Sequence, residues 1–253
     1  MLPEGCIVKV IDGLYVSSPE MCFFQMAAEL SLVKKIELGF EFCGTYSLLI
    51  PGFEYQNPEV EKRGFGNRNN AITSKKKLEA LLARMVGRCG QRPHTKTLRY
   101  LIDGSASPME TVLTMLLTLP HKYGGYGLPL PELNKPRVSR VSDRKSTRNN
   151  VLNKSLRCDL EWPAANVAVE YDSDTYHTGP QRIAKDSIRR NQLTTSGKRI
   201  ITVTKDQVYD ETEFDTVARQ IAENLGWRLR DNRSEGFSEA RSELRFAILP
   251  KGR

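Results

Sequence analysis

Residues 156–172 read LRCDLEWPAANVAVEYD, and this segment constrains the fold more than any other. Two runs of alternating apolar and polar residues, LRCDLEW and NVAVEYD, are joined by Pro163-Ala164-Ala165-Asn166. Four residues are too few for any link but a tight antiparallel turn. With Ala164 and Ala165 as the loop, Pro163 opposes Asn166, Trp162 opposes Val167, Leu160 opposes Val169, and Asp159 opposes Glu170. Side chains alternate along a strand. Cys158, Leu160, Trp162, Val167, Val169 and Tyr171 are therefore expected on a core face. Arg157, Asp159, Glu161, Ala168, Glu170 and Asp172 are expected on the other.

That second face sets like charges against each other, which destabilises a sheet. A solvated surface tolerates this, with Arg157 opposite Asp172. A cation between Asp159 and Glu170 resolves it more directly. Oxygen ligands without a thiol or imidazole cluster suit a hard ion, Mg²⁺ or Mn²⁺. The expectation depends on register, because a slip of one residue moves every side chain to the other face.

Around this hairpin the chain is punctuated by helix and turn signals. VKVIDGLYV predicts two short strands about Asp12-Gly13. Ser18-Pro19-Glu20 opens a helix with Cys22, Phe23, Met26 and Leu30 at helical spacing. Residues 51–70 are rich in Pro, Gly and Asn and form a loop or boundary. Gly64-Phe65-Gly66 there lacks the Lys-Ser/Thr of a phosphate loop. A Lys-rich helix follows Ser74, with Leu78, Leu81, Leu82 and Met85 inward. Ser107-Pro108-Met109-Glu110 begins a helix with a wide apolar stripe. A strand is expected near Arg137–Val141, a polar helix from about Gln181 to Ser196 closed by Gly197, a strand at RIITVT, and a last amphipathic helix carrying Phe214, Val217, Ile221 and Leu225.

This organisation gives a mixed, mostly helical region over 1–104, a second region over 105–229, and a charged tail over 230–253. No apolar run approaches the roughly 20 residues of a membrane span, and the first residues do not read as a signal peptide. A cytoplasmic protein without a membrane partner is expected. The five cysteines (Cys6, Cys22, Cys43, Cys89, Cys158) form no C-x-x-C pair and point to neither a disulfide framework nor a zinc site.

The net charge of +8 and sequence pI of about 9.2 fit a polyanionic partner. Arg137, Arg140, Arg144, Lys145, Arg148, Lys154 and Arg157 fall in one stretch whose only acid is Asp143. A solvated loop rich in Ser and Asn has the same composition, and such a loop can order on phosphates.

Four stretches carry a resemblance. S-P-M-E (107–110), C-D-L-E-W-P (158–163), V-A-V-E-Y-D-S-D-T-Y-H (167–177) and K-D-S-I-R-R-N-Q-L-T-T-S-G (185–197) occur in order, the last leading into RIITVT. In this order the chain resembles the PD-(D/E)xK nuclease superfamily, within it the group related to the very-short-patch repair endonuclease, including domains often fused to abortive-infection antitoxin-type N-terminal regions. About half of the chain is covered. The resemblance implies an α/β (α+β) fold with a restriction-endonuclease-like core, an α-β-β-β-α-β mixed sheet flanked by helices, beside the mostly helical N-terminal region.

It also implies roles. Asp159 and Glu170 are the metal ligands, joined by Asp172, which stands where the superfamily's E-x-K motif has lysine. His177 is the substitute proton acceptor, since its near-neutral pKa suits a general base. Glu110 reaches the metal site from the first core helix, or else closes a capping box with Ser107. Arg189 contacts the scissile phosphate, or forms an ion pair with Asp186 one helical turn away. Lys185, Arg190, Arg144, Lys145 and Arg148 are further phosphate contacts or solvated charges.

The expected activity is Mg²⁺-dependent hydrolysis of DNA phosphodiester bonds, with Mn²⁺ as substitute. The missing lysine keeps open a degenerate nuclease fold that acts as a DNA-binding regulator or antitoxin-like protein. An enzyme acting on a small phosphorylated substrate is a third reading.

Overall fold

Asp12-Gly13 turns an antiparallel ribbon of β1 (Ile7–Ile11) and β2 (Leu14–Ser17), with Ile11 opposite Leu14. Gly13 takes a φ of +79°, which glycine adopts without a Cβ penalty. The computed structural model in which this ribbon is seen describes residues 2–50, 52–53, 55–85, 91–140, 153–172, 197–230 and 235–250. The chain divides into two compact units, Met1–Leu130 with Arg230–Arg253, and Pro131–Leu229. Among the described residues no helix is long and apolar enough to cross a membrane.

In the first unit Ser18 caps α1 (Pro19–Ala27) by accepting the Met21 N–H, with Pro19 in the first turn. The buried side is Phe23, Phe24 and Ala27, while Met26 is exposed. The stripe is rotated from the expected one because Phe23 and Phe24 pack edge-on to each other and Phe24 on His94. α2 (Leu32–Cys43) follows and buries Ile36, Phe40 and Phe42. β3 (Tyr46–Leu48) pairs antiparallel with β4 (Phe65–Asn67) across α3 (Pro58–Arg63). α4 (Lys75–Arg84) is capped by Ser74 and buries Leu78, Leu81 and Leu82. α5 (Gln91–Leu98) and α6 (Pro108–Thr118) both pack on α2. Gly39 has a packing reason in mid-helix: a Cβ there would collide with the Leu101 side chain.

In the second unit β5 (Glu132–Leu133), β6 (Arg137–Arg140), β7 (Asn153–Leu156), β8 (Leu160–Trp162), β9 (Val167–Asp172) and β10 (Arg199–Thr204) precede α7 (Lys205–Tyr209) and α8 (Glu211–Asn224). Four strands form one sheet in the order β10-β9-β8-β5. β8 runs antiparallel to β5 and β9, and β10 parallel to β9. α8 buries Phe214, Val217, Ala218, Ile221 and Ala222 and packs on β10.

The strand expected near Arg137–Val141 is present as β6, which pairs with β7 in a ribbon separate from this sheet. Between β5 and β6, Asn134 adopts a φ of +50° and Pro136 follows, and together they turn the chain away. The sheet's first strand is the two-residue β5 instead. LRCDLEW is not one strand, since Leu156 ends β7 and Leu160 begins β8. The basic segment is thus the connection between two paired strands.

Within residues 230–253, Glu235–Ile248 form α9. Its Phe237, Leu244 and Ile248 are buried, and Phe237 stacks on His121 with ring centroids 3.8 Å apart. α9 and α6 both lie in the first unit and pack together.

Candidate functional site

The hairpin has the register counted from the sequence. Leu160 faces Val169, Glu161 faces Ala168, and Trp162 faces Val167. Pro163–Ala165 make a 3-10 turn, and Asn166 closes it at a φ of +53°, a conformation asparagine tolerates. On the far side of β9, Thr202 lies beside Glu170 and Thr204 beside Asp172.

Asp159 stands one residue before β8. An unbroken ladder would set it against Glu170, but the pairing ends at Leu160–Val169. Its Oδ2 accepts the backbone N–H of Tyr171 at 2.8 Å, so the side chain occupies the place where the next ladder bond of the hairpin would form. The backbone at 159 is bent rather than extended, and Cys158 consequently packs with Ala168 and Ile200. That corrects the face assigned to Cys158, which strict alternation puts with Leu160 and Val169. Alternation holds only inside an unbroken strand, and Arg157–Asp159 is the interruption.

The expected acidic face is corrected as well. Ala168 and Glu161 are both buried. Glu161 forms an ion pair with Lys198, Oε1 to Nζ 2.7 Å, in which the side chains are only 4% and 14% exposed. Glu161 is therefore a neutralised interior group and no solvated flank of the Asp159–Glu170 pair. Sequence reading missed Lys198. Its one visible signal is parity with Ile200, and that has meaning only once the parallel pairing of β10 with β9 is known.

Asp159 and Glu170 are half-buried and Asp172 is exposed. The Tyr171 hydroxyl is pushed up to about 12, first by burial and then by neighbouring Tyr209, Asp172 and Asp206. It stays protonated at neutral pH, a donor within an acidic end of the sheet. Among the described residues no group of three or more His, Cys, Asp or Glu side chains is gathered closely enough to hold an ion. Asp159 and Glu170 accordingly form at most a two-carboxylate set, to be completed from elsewhere.

Glu110 lies on α6 in the first unit. Ser107 Oγ accepts the Glu110 N–H at 3.2 Å, and Glu110 Oε2 accepts the Ala106 N–H at 2.8 Å. The carboxylate thus reaches back over the helix start, one amide beyond the expected capping-box partner. It is buried. His177, Lys185, Asp186, Arg189, Arg190, Arg144, Lys145 and Arg148 lie outside the described residues.

Comparison with known proteins adds relatives without a stated activity. The chain is 26% identical over 152 residues to the uncharacterised proteins MT2308 and Rv2248 of Mycobacterium tuberculosis, from strains CDC 1551 and H37Rv. The match covers 60% of this chain and 49% of each relative, so the chain spans about half the length of the curated relatives it matches. No family model and no solved structure matches it.

Proposed function

We propose that the chain is a metal-dependent endonuclease that hydrolyses DNA phosphodiester bonds at Asp159 and Glu170. The supporting observation is the hairpin register, whose last pair, Leu160–Val169, leaves Asp159 and Glu170 as the next residues on its two arms. Two features accompany it. An antiparallel run β5-β8-β9 with a parallel β10 after a long crossover accords with the mixed sheet of the expected nuclease core. A basic connection between β6 and β7 suits a phosphate backbone.

The donor set fits a hard divalent ion. A carboxylate accepts about four hydrogen bonds or ligand contacts, and the Tyr171 amide uses one of Asp159's while fixing its direction. Asp159 and Glu170 would hold Mg²⁺ or Mn²⁺, while Asp172, the third ligand the resemblance implies, is not gathered with them. The ion supplies charge to the phosphate oxygens and a lowered pKa to water. His177 is proposed to take the proton. Arg189, Arg190, Lys185, Arg144, Lys145 and Arg148 are proposed to neutralise the nucleic-acid backbone.

The test is incubation of purified protein with plasmid and short duplexes, in Mn²⁺ or in EDTA. Cleavage in Mn²⁺ alone, lost in Glu170→Gln and Asp159→Asn, is the expected result. Cleavage unaffected by both substitutions would refute the site. A second reading, a catalytically degenerate fold that binds DNA as a regulator, is favoured by Asp172 in place of the E-x-K lysine. It expects retention of duplexes in a gel shift with no cleavage at any Mn²⁺ concentration.

A further inference from the structure

The β1–β2 ribbon exposes more apolar surface than a two-stranded element normally leaves in water. Ile7, Val8, Val10, Ile11, Leu14, Tyr15 and Val16 are each 44–63% exposed. A single hairpin is at best marginally stable on its own, and contiguous apolar patches of this kind mark interaction surfaces.

The pairing shows how the surface is organised. Val8 opposes Val16 and Ile11 opposes Leu14, with an irregularity between Lys9 and Ile11 that leaves Val10 unopposed. One extra residue restores the parity that a spacing of three would break. Val8, Ile11, Leu14 and Val16 therefore share one face, which is purely aliphatic. Lys9 and Tyr15 oppose each other on the reverse.

We propose that this aliphatic face is a self-association surface, on which the ribbons of two copies pack against each other about a two-fold axis. An isologous contact requires only a patch that complements itself, and four aliphatic side chains without a polar group meet that condition. Charge agrees. The chain carries a net +8, so two copies repel in general. Residues 7–17 hold one lysine and one aspartate, and Lys9 and Asp12 form an ion pair. The ribbon is a neutral, non-repelling patch on a cationic molecule. A polyanion would gain nothing from it.

Area sets the strength. The seven side chains expose on the order of 700 Å² per copy, near the roughly 800 Å² per partner of a standard interface. The aliphatic face alone offers about half of that. Contact through one face thus belongs to the smaller, reversible class.

The test is sedimentation velocity on the full chain from about 1 to 200 µM. The expected result is a reversible monomer–dimer equilibrium, weakened at least tenfold by Val16→Lys with an unchanged circular dichroism spectrum. If Val16→Lys fails to fold, the Val8→Thr/Val16→Thr double variant keeps the β-branched shape and is expected to weaken dimerisation in the same way. A wild-type chain that stays monomeric throughout, or a dimer whose strength neither variant changes, would overturn the proposal.

Discussion

Replacing Lys198 by methionine removes the cation and keeps most of the packing volume. In the native chain its ammonium lies 2.7 Å from Glu161 Oε1, with the two side chains 14% and 4% exposed. Breaking a buried pair typically costs about 3–5 kcal/mol, because the remaining charge has lost the group that compensated it. Lys198 retains some exposure, so ~3 kcal/mol is expected. With a urea m-value of about 2 kcal/mol/M, the midpoint falls by roughly 1.5 M. The two tryptophans, Trp162 and Trp227, both lie in the Pro131–Leu229 unit, and Trp162 is buried. Fluorescence during urea titration therefore follows this unit alone. The double variant Glu161→Met/Lys198→Met should regain most of the loss, since well-packed apolar replacements of buried pairs are often neutral. A coupling of at least about 1 kcal/mol between the two sites is expected. Single variants within about 0.5 kcal/mol of wild type, with additive effects, would refute the buried-pair assignment.

Three further expectations follow from the first unit. Glu110→Ala should lower its stability by about 1–2 kcal/mol, because the Ala106 amide loses its acceptor at the start of α6; thermal unfolding by circular dichroism measures it, and Glu110→Gln should lose less. His94 is buried among Phe23, Phe24 and Lys35, with no hydrogen-bond partner at Nδ1 among the described residues, and burial followed by the Lys35 charge lowers its pKa. The folded value lies below the unfolded value of about 6.5, so its contribution is complete above that pH. It is lost as the pH falls from there through the folded pKa, at up to ~1.4 kcal/mol per unit, and His94→Gln should flatten the urea midpoint between pH 7 and 5. Gly124→Ala should destabilise the unit by at least ~2 kcal/mol in thermal melts, since Gly124 has a φ of +81° and a Cβ would run into the Ala240 carbonyl of α9.

Local signals were legible where the chain decides by itself. Ser18, Ser74 and Ser107 each cap the helix they announce, and the register from Leu160 to Val169 could be counted by taking Ala164-Ala165 as the loop. Decisions taken at a distance were not legible. The strand LRCDLEW breaks at Asp159 because the Asp159 carboxylate engages the Tyr171 amide, a contact across twelve positions. Glu161 looked solvated because its cation, Lys198, stands just before β10, whose parallel pairing with β9 no periodicity encodes. Likewise β5 has only two residues, too few to show alternation, yet it takes the sheet position expected of β6. The buried side of α1 was set by the aromatic contact of Phe24 with His94, seventy positions away, rather than by the helix's own spacing.

The central claim is that Asp159 and Glu170 together hold a divalent ion, and Mn²⁺ binding followed by electron paramagnetic resonance tests it most directly. Asp159→Asn is the informative variant, because its amide oxygen still accepts the Tyr171 N–H while its charge is gone. Glu170→Gln is its companion. The wild-type chain should bind Mn²⁺ with 1:1 saturation, and each variant should weaken binding at least tenfold while keeping the wild-type urea midpoint within about 0.5 M. Mn²⁺ binding of equal strength in all three proteins, or none in the wild type, would contradict the account.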